Sequence, residues 1–303
     1  MVVHRRRPAA CVRTVAALRE QGVGTVVVVD NASPAEDRKA ILDAHPDVVL
    51  LENGENLGFG PAANVGFRWW LTHDPTFWDR SGTAARTERS QNAGGREWVL
   101  LCPHDADPAP GCIPALVDAV AGRDDAGLAC AEYGDHEWSG RPHIDHYFGS
   151  VLVPSARVPG WESCHHPHGT MMLARRACLE DIGLFDERYF AYGEEADLGM
   201  RARAAGWDVG IVWGAVVHNP GMSSETGVPE YLMLRNSLLL VRTYWGGYHA
   251  FIRFLMALAT TARGVLGGRR TPFWHLSARL CALRDFLRGR TGPPPRTFAL
   301  RRP

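Results

Sequence analysis

Two hydrophobic periods alternate through the first 130 residues. Short runs at 1–3, 25–29, 48–51, 98–101 and 126–131 are apolar on consecutive positions and rich in Val and Leu. Between them, apolar residues recur every three or four positions. Residues 9–20 bring Cys11, Val12, Val15 and Leu18 to one helical face, and Gly22 follows as a stop. Ser33-Pro34 reads as an N-cap with Pro at the first helical position. Residues 61–71 and 114–121 have the same helical spacing. Wholly apolar strands between amphipathic helices predict a mostly parallel sheet covered on both faces. Such sheets bind ligands beyond the carboxyl ends of their strands. Asp30, Asn53 and Asp105 stand at such ends and are expected to rim one crevice.

The second half is less regular. It predicts a strand at 171–174, a short helix at 176–182 ended by Gly183, and a helix at 194–205 with Gly206 just beyond it. Strands are expected at 209–213 and 215–218, and two long helices at 229–245 and 248–264. Residues 265–303 are rich in Arg, Gly and Pro. The polar stretch 73–96 interrupts the pattern and reads as a mobile surface insertion. The domain reading is therefore a body over 1–228, with a first half at 1–130 and a second at 131–228, followed by a tail at 229–303.

Charge sharpens the division between body and tail. The 303 residues hold 33 basic and 33 acidic side chains, yet residues 231–303 have 13 Arg against one acid, Asp285. The body carries the matching acidic excess. A hydrophobic content of 46% and a charged content of 22% exclude wholesale disorder and collagen. Seven Cys without a CxxC pair fit reduced, cytoplasmic thiols. No run of 18 uncharged apolar residues exists, and no secretory signal is visible. In the tail, single arginines punctuate apolar runs, and Tyr244, Trp245, Tyr248 and Phe251 cluster midway. This pattern predicts helices lying peripherally on an anionic membrane surface, at the inner face of the cell membrane. The alternative is packing against the acidic body. Nucleic acid is not expected as a partner.

Candidate chemistry gathers at element boundaries. Asp105 and Asp107, spaced i, i+2 after an apolar strand, can both reach a ligand, and hard divalent cations want such oxygen ligands. Acids in that position are also common turn residues. Glu194, Glu195 and Asp197 open a helix, where compensation of the helix dipole is the plainer reading. His218 ends a later strand. Cys164-His165-His166-Pro167-His168 invites a zinc reading, but its ligands crowd one loop and no second cluster completes a tetrahedron. Gly58, Gly60 and Gly66 lack the spacing of a dinucleotide fingerprint.

In combination these features resemble glycosyltransferase family 2, the inverting, nucleotide-sugar-dependent transferases with a GT-A fold, and most closely its bacterial rhamnosyl- and galactofuranosyltransferase-like members. The resemblance covers about residues 1–245. It rests on Val28-Val29-Asp30-Asn31-Ala32-Ser33, Asn56-Leu57-Gly58-Phe59-Gly60 with Asn64-Val65-Gly66, Asp105-Ala106-Asp107, Gly183-Leu184-Phe185-Asp186-Glu187, Tyr192-Gly193-Glu194-Glu195-Ala196-Asp197 through Arg201, Ala204-Ala205-Gly206-Trp207, and Val216-Val217-His218. It implies an α/β GT-A fold, a Rossmann-like mostly parallel sheet flanked by helices, here with C-terminal amphipathic helices.

The same resemblance implies residue roles. Asp30, Asn31, Asn56, Gly58, Asn64 and Asp105 would hold the nucleotide. Asp107, with His218 and Asp105, would hold Mn²⁺ or Mg²⁺. Glu195 would be the catalytic base, with Asp197 and Glu194 as alternatives. Glu195 stands where the family pattern has Asp. Trp161, His168 and Gly169 would face the acceptor. The donor would be a dTDP- or UDP-sugar, and the acceptor a glycan or lipid-linked hydroxyl in cell-wall or surface polysaccharide synthesis. The family's longer first strand is replaced here by His4-Arg5-Arg6-Arg7-Pro8, whose arginines either face the diphosphate or lie in a surface turn. The alternatives are a catalytically impaired nucleotide-sugar-binding or scaffolding subunit, and a sugar nucleotidyltransferase.

Overall fold

The computed structural model describes residues 1–72, 97–134, 140–219 and 227–295. The insertion expected at 73–96 lies outside the described residues. The first half runs β1 (Val2–His4), α1 (Pro8–Glu20), β2 (Val27–Asn31), α2 (Ala35–Ala44), β3 (Val49–Asn53), α3 (Phe59–Thr72), β4 (Trp98–Pro103), β5 (Asp107–Pro108), α4 (Cys112–Val120) and β6 (Ala126–Tyr133). There follow β7 (Arg141–Asp145), β8 (Gly149–Val153), β9 (Gly160–Ser163), β10 (Met172–Arg175), α5 (Arg176–Ile182), α6 (Glu194–Ala204), β11 (Asp208–His218), α7 (Val228–Val265) and α8 (Leu276–Leu287).

The central sheet has the order β3-β2-β1-β4-β10-β6-β11-β5, with β9 added beside β11. Strands β3, β2, β1 and β4 are parallel, and β6 and β11 are parallel to each other; β10 runs antiparallel between β4 and β6. Successive strand residues point to opposite faces. Val27 and Val29 accordingly join one core with Phe67 and Leu198, while Val26 and Val28 join the other with Val15, Leu18 and Leu116. Helices on both faces explain why the strands are apolar at every position rather than at alternate ones.

Several boundaries depart from the sequence reading. Helix α2 begins at Ala35 with Pro34 at its cap, not Ser33. The Ser33 hydroxyl accepts from the Arg6 amide, and the Ser33 amide donates to Asp30, so the residue serves the strand end instead of the helix. The two strands expected at 209–213 and 215–218 are one, β11, whose register against β6 shifts between Val212 and Val216. The short strands β5, β7, β8 and β9, and helix α8 inside the Arg-rich tail, had no sequence expectation. The two long helices are present as the halves of α7, broken at Gly246, where φ is 81°.

The first half of α7 is built into the body. Tyr231, Leu232, Leu234, Leu238 and Leu240 are buried, and Arg235 is among the most deeply buried side chains. Its guanidinium donates to the carbonyls of Gly292 and Tyr189 and to Asn236 Oδ1. The Asn236 amide donates in turn to the carbonyls of Tyr189 (3.0 Å), Ala191 (2.8 Å) and Tyr192 (2.6 Å). That loop leads into α6 and contains two non-glycine residues with φ of 65°, Phe190 and Tyr192. Left-handed backbone of this kind persists only where its surroundings hold it.

Asn236→Ala is expected to deprive the Ala191 and Tyr192 carbonyls of their side-chain donor, the Tyr189 carbonyl keeping Arg235, and to destabilise the fold by about 1–3 kcal/mol. Urea denaturation checks this, and an unchanged midpoint would show that the loop holds its conformation without the helix.

Candidate active site

Three strand ends and one helix start supply the expected site residues. At the end of β2, Asp30 is fully buried. It accepts a hydrogen bond from His4 (2.9 Å) and one from the Ser33 amide, and Arg38 lies 3.5 Å away. Burial works to raise its carboxyl pKa, but the bonds from His4 and Ser33 outweigh it and hold the group below the usual range. Asn31, the next residue, reaches out of the sheet. Its amide donates to Asn56 Oδ1 (2.9 Å) and to the Gly58 carbonyl, and its carbonyl oxygen accepts from Leu57 N. Asn31 and Asn56 therefore stitch the loop before α3. Gly58 in that loop has φ of 95°, and a Cβ there would fall 2.1 Å from the Phe190 carbonyl oxygen, so no other residue fits.

After β4, Asp105 is half-buried, with Arg7 3.5 Å from its carboxylate. Of the three consecutive arginines, all exposed, Arg7 is the one that turns towards this acid. Two residues on, Asp107 lies directly opposite His218 in the antiparallel pairing of β5 with β11. Opposed residues share a face, with Cβ atoms roughly 5 Å apart. Both are exposed. The His218 ring lies over Gly134, where a Cβ would fall 2.2 Å from it. The missing side chain is what lets the imidazole fold back against the end of β6. Among the described residues no three His, Cys, Asp or Glu side chains converge as metal ligands.

Glu194 and Glu195 begin α6. Glu194 is buried and neither carboxylate oxygen has a hydrogen-bond partner. Burial, reinforced by the charge of Glu195, pushes its carboxyl well above the ordinary range. Glu195 is also raised by burial, although the backbone amides of Glu195, Gly193 and Gly169 work against this. Glycine makes room for both side chains: a Cβ on Gly60 would lie 3.1 Å from Glu194 Cγ, and one on Gly169 would lie 2.5 Å from Glu195 Oε1.

A cleft of about 380 Å³ opens between these elements, lined by Asp105, Tyr133, His168, Gly169, Glu194 and Glu195, among others. Asn219, next to His218, also reaches it. A second cavity of about 430 Å³ lies on the other side, between α6, β8 and α7, and is also lined by Glu195. Tyr192 and Met233 line both spaces as well. Glu195 thus stands in the wall between two cavities.

Other expected site residues are engaged elsewhere. Asp197 is buried, with Oδ2 paired to Arg201 (2.9 Å) and Oδ1 accepting from the Tyr244 hydroxyl (2.7 Å). Neither oxygen is left for a substrate. Asn64 bridges α3 to the Phe185 backbone through both its amide atoms and to Glu187. Trp161 lies on β9, with its indole against Gly210 and its N–H donating to Asp208 at the start of β11, the end of that strand remote from His218. Asp30 lies behind His4 rather than in the cleft. His166 is fully engaged by Ser150 and the Pro167 carbonyl, and burial pushes it down to about 4. His168 bonds the Ala131 carbonyl, stacks on Tyr133 with ring centres 4.1 Å apart, and is likewise pushed by burial to about 4. Neutral rings held this way orient the loop leading to Gly169.

The sequence reading passed over Tyr133 and Thr170, and gave Tyr192, quoted only within the family pattern, no role of its own. Tyr133 ends β6, and its hydroxyl meets Thr170 Oγ1 at 2.6 Å. Its place at a strand end was the available signal. For Thr170 there was none.

The family model for glycosyltransferase-like family 2 matches residues 1–235. The chain belongs to this family. Among curated relatives of this family-2 chain, the N-acetylglucosaminyl-diphospho-decaprenol L-rhamnosyltransferase of Mycobacterium tuberculosis (strain H37Rv) is 28% identical over 287 residues, covering 84% of this chain and 83% of the relative. The low-salt glycan biosynthesis hexosyltransferase Agl10 of Haloferax volcanii is 25% identical, covering 73% of this chain and 68% of that one. Two solved structures share the fold. GalNAc-T7 with UDP, GalNAc and Mn²⁺ has a TM-score of 0.61 at 15% identity, covering 95% of this chain and 55% of its own. The Pyrobaculum calidifontis mannosyltransferase PcManGT with GDP-Man and Mn²⁺ has 0.53 at 17%, covering 94% and 85%. The family-2 chain is a hexosyl-transferring enzyme with the GT-A architecture.

Glu194 permits a test of the dry site. Its folded-state pKa is raised, so its contribution to stability is fully present below the unfolded value of about 4.3 and is lost as pH rises towards the folded one. Glu194→Gln mimics the protonated form. It is expected to melt with the parent at acid pH and at progressively higher temperature than the parent as pH rises to about 8. Thermal melts across that range check this, and a gap that does not widen with pH would place the carboxylate in water.

Proposed function

We propose that this enzyme transfers a hexosyl group, with inversion, from a nucleotide-diphosphate sugar to a hydroxyl of a lipid-linked or glycan acceptor, and that Glu195 is its base. The observation that carries the reading is the position of Glu195 between two cavities. The acceptor oxygen attacks the anomeric carbon from one side while the bond to the diphosphate breaks on the other. The hydroxyl proton passes to Glu195, and the diphosphate leaves with the bonding electron pair. A positioned carboxylate contributes about 10²–10⁴-fold to such a step. Displacement from the opposite side inverts the carbon and needs no covalent intermediate.

On the donor side, Asp105 faces the cleft and Asn31 and Asn56 order the loop beside it. A carboxylate and an imidazole on one face at a sheet edge suit a cation that keeps its remaining positions for diphosphate oxygens. Asp107 and His218, with Asp105 nearby, would hold Mn²⁺ or Mg²⁺. When bound, the ion would offset charge growing on the leaving diphosphate. The Mn²⁺ in both solved relatives named above supports this reading, and the mycobacterial relative's name supports a lipid-linked acceptor and a role in cell-wall or surface glycan synthesis.

The second half of α7 supports a peripheral place on an anionic membrane, at its inner face. Tyr248, Phe251, Leu255, Leu258 and Val265 are exposed at helical spacing, with Arg263, Arg269 and Arg270 exposed at the end of the run. Among the described residues no helix is long and apolar enough to cross a membrane.

Two substitutions test the chemistry. Glu195→Gln is expected to lower turnover about 10²–10⁴-fold while donor binding stays within about twofold. Unchanged turnover moves the base elsewhere. Asp107→Ala is expected to abolish the Mn²⁺-dependent part of the thermal shift produced by a panel of nucleotide sugars. Retention of that shift removes Asp107 from the metal site.

A further inference from the structure

The cavity between α6, β8 and α7 contains a charge that no described residue neutralises. Its walls are largely apolar, including Phe148, Leu234, Leu240 and Phe273. Two guanidinium groups enter it, and they differ. Arg279 is saturated: it pairs with Glu230 and donates to Thr261, Thr260 and the Ala257 carbonyl. Arg253 donates to the Ser237 hydroxyl at 3.1 Å and lies 5.9 Å over the Phe148 ring. Its Nε is buried without a partner, and among the described residues no carboxylate lies within ion-pair distance. Burial, together with the charge of Arg279, lowers it to about 10, which leaves it positive at neutral pH. The nearby acid, Glu230, is committed to Arg279.

A largely enclosed cation without a counter-charge is costly, and an anion is the partner that offsets most of that cost. The guanidinium fork suits phosphate oxygens, and the walls suit an apolar body. Glu195 lines the same cavity, so a molecule bound there presents its hydroxyl to the base from the side away from Asp105. We propose that this cavity is the acceptor subsite and that Arg253 binds the phosphate group joining the acceptor sugar to its lipid. This rests on the transferase reading above and names the substrate chemistry on its acceptor side.

The probe is farnesyl diphosphate, titrated into the full chain in EDTA so that no cation serves the donor cleft, with tryptophan fluorescence or calorimetry as the readout. The parent is expected to bind it at least about tenfold more tightly than farnesol, because the phosphate contact carries the difference. Arg253→Gln is expected to lose that preference, Arg253→Lys to keep part of it, and Asp107→Ala to keep all of it. Three results overturn the proposal: no preference for the diphosphate in the parent, parent-like binding by Arg253→Gln, or loss in Asp107→Ala, which would place the probe in the donor cleft. Equal, Arg253-dependent binding of phosphatidylglycerol micelles would assign the arginine to a membrane headgroup and overturn it as well. In parallel, the Mn²⁺-dependent nucleotide-sugar shift is expected to survive in Arg253→Gln. Its absence from the parent would refute the donor reading alone, leaving the diphosphate titration to be judged by itself.

Discussion

Two glutamates side by side at the start of α6 are held away from water, and much of the molecule is arranged around that constraint. A helix N-terminus favours negative charge, whereas burial disfavours it. The site balances the two. The amides of Glu195, Gly193 and Gly169 favour charge on Glu195, whereas Glu194 has only its own amide against burial and sits raised behind it. Keeping both there needs empty space at Gly60 and Gly169, which come from distant segments. It also needs a loop of left-handed residues, 190 and 192, held from outside by Asn236. A carboxylate raised by burial is a stronger base than one in water, which suits the proposed removal of an acceptor proton.

The constraint explains why the C-terminal helices are part of the site and not an appendage to it. Asn236 ties α7 to the loop before α6, Tyr244 bonds Asp197 inside α6, and Arg253 shares a cavity with Glu195. Beyond the break at Gly246 the second half of α7 keeps Arg253 at the cavity and Phe254 and Ala257 against α8, and exposes Tyr248, Phe251, Leu255 and Leu258 on its other side. One helix therefore faces the cavity and the body on one side and a different environment on the other.

Much of this was legible in the residues. Apolar runs without alternation identified a sheet covered on both faces, and Asp105, Asp107, Glu195 and His218 stood at element ends where such sheets place their ligands. Legibility failed where a polar side chain could satisfy either a substrate or the fold. Asn64, Asp197 and Trp161 have the chemistry of site residues, but each spends its polar atoms on a neighbour distant in sequence. Ser33 and Pro34 had the composition of a helix start, yet the strand end claimed the serine.

Local chemistry in the chain determined the strands, the helices, the acid pairs and the family they resemble, because periodicity and short motifs are properties of adjacent residues. The tertiary structure alone decided which carboxylates are dry, which are already paired and which face a cavity. It also decided that one of the tail arginines, Arg253, lines the same cavity as Glu195, with no carboxylate among the described residues within ion-pair distance. Burial and pairing depend on segments a hundred or more residues apart, and no window of sequence contains them.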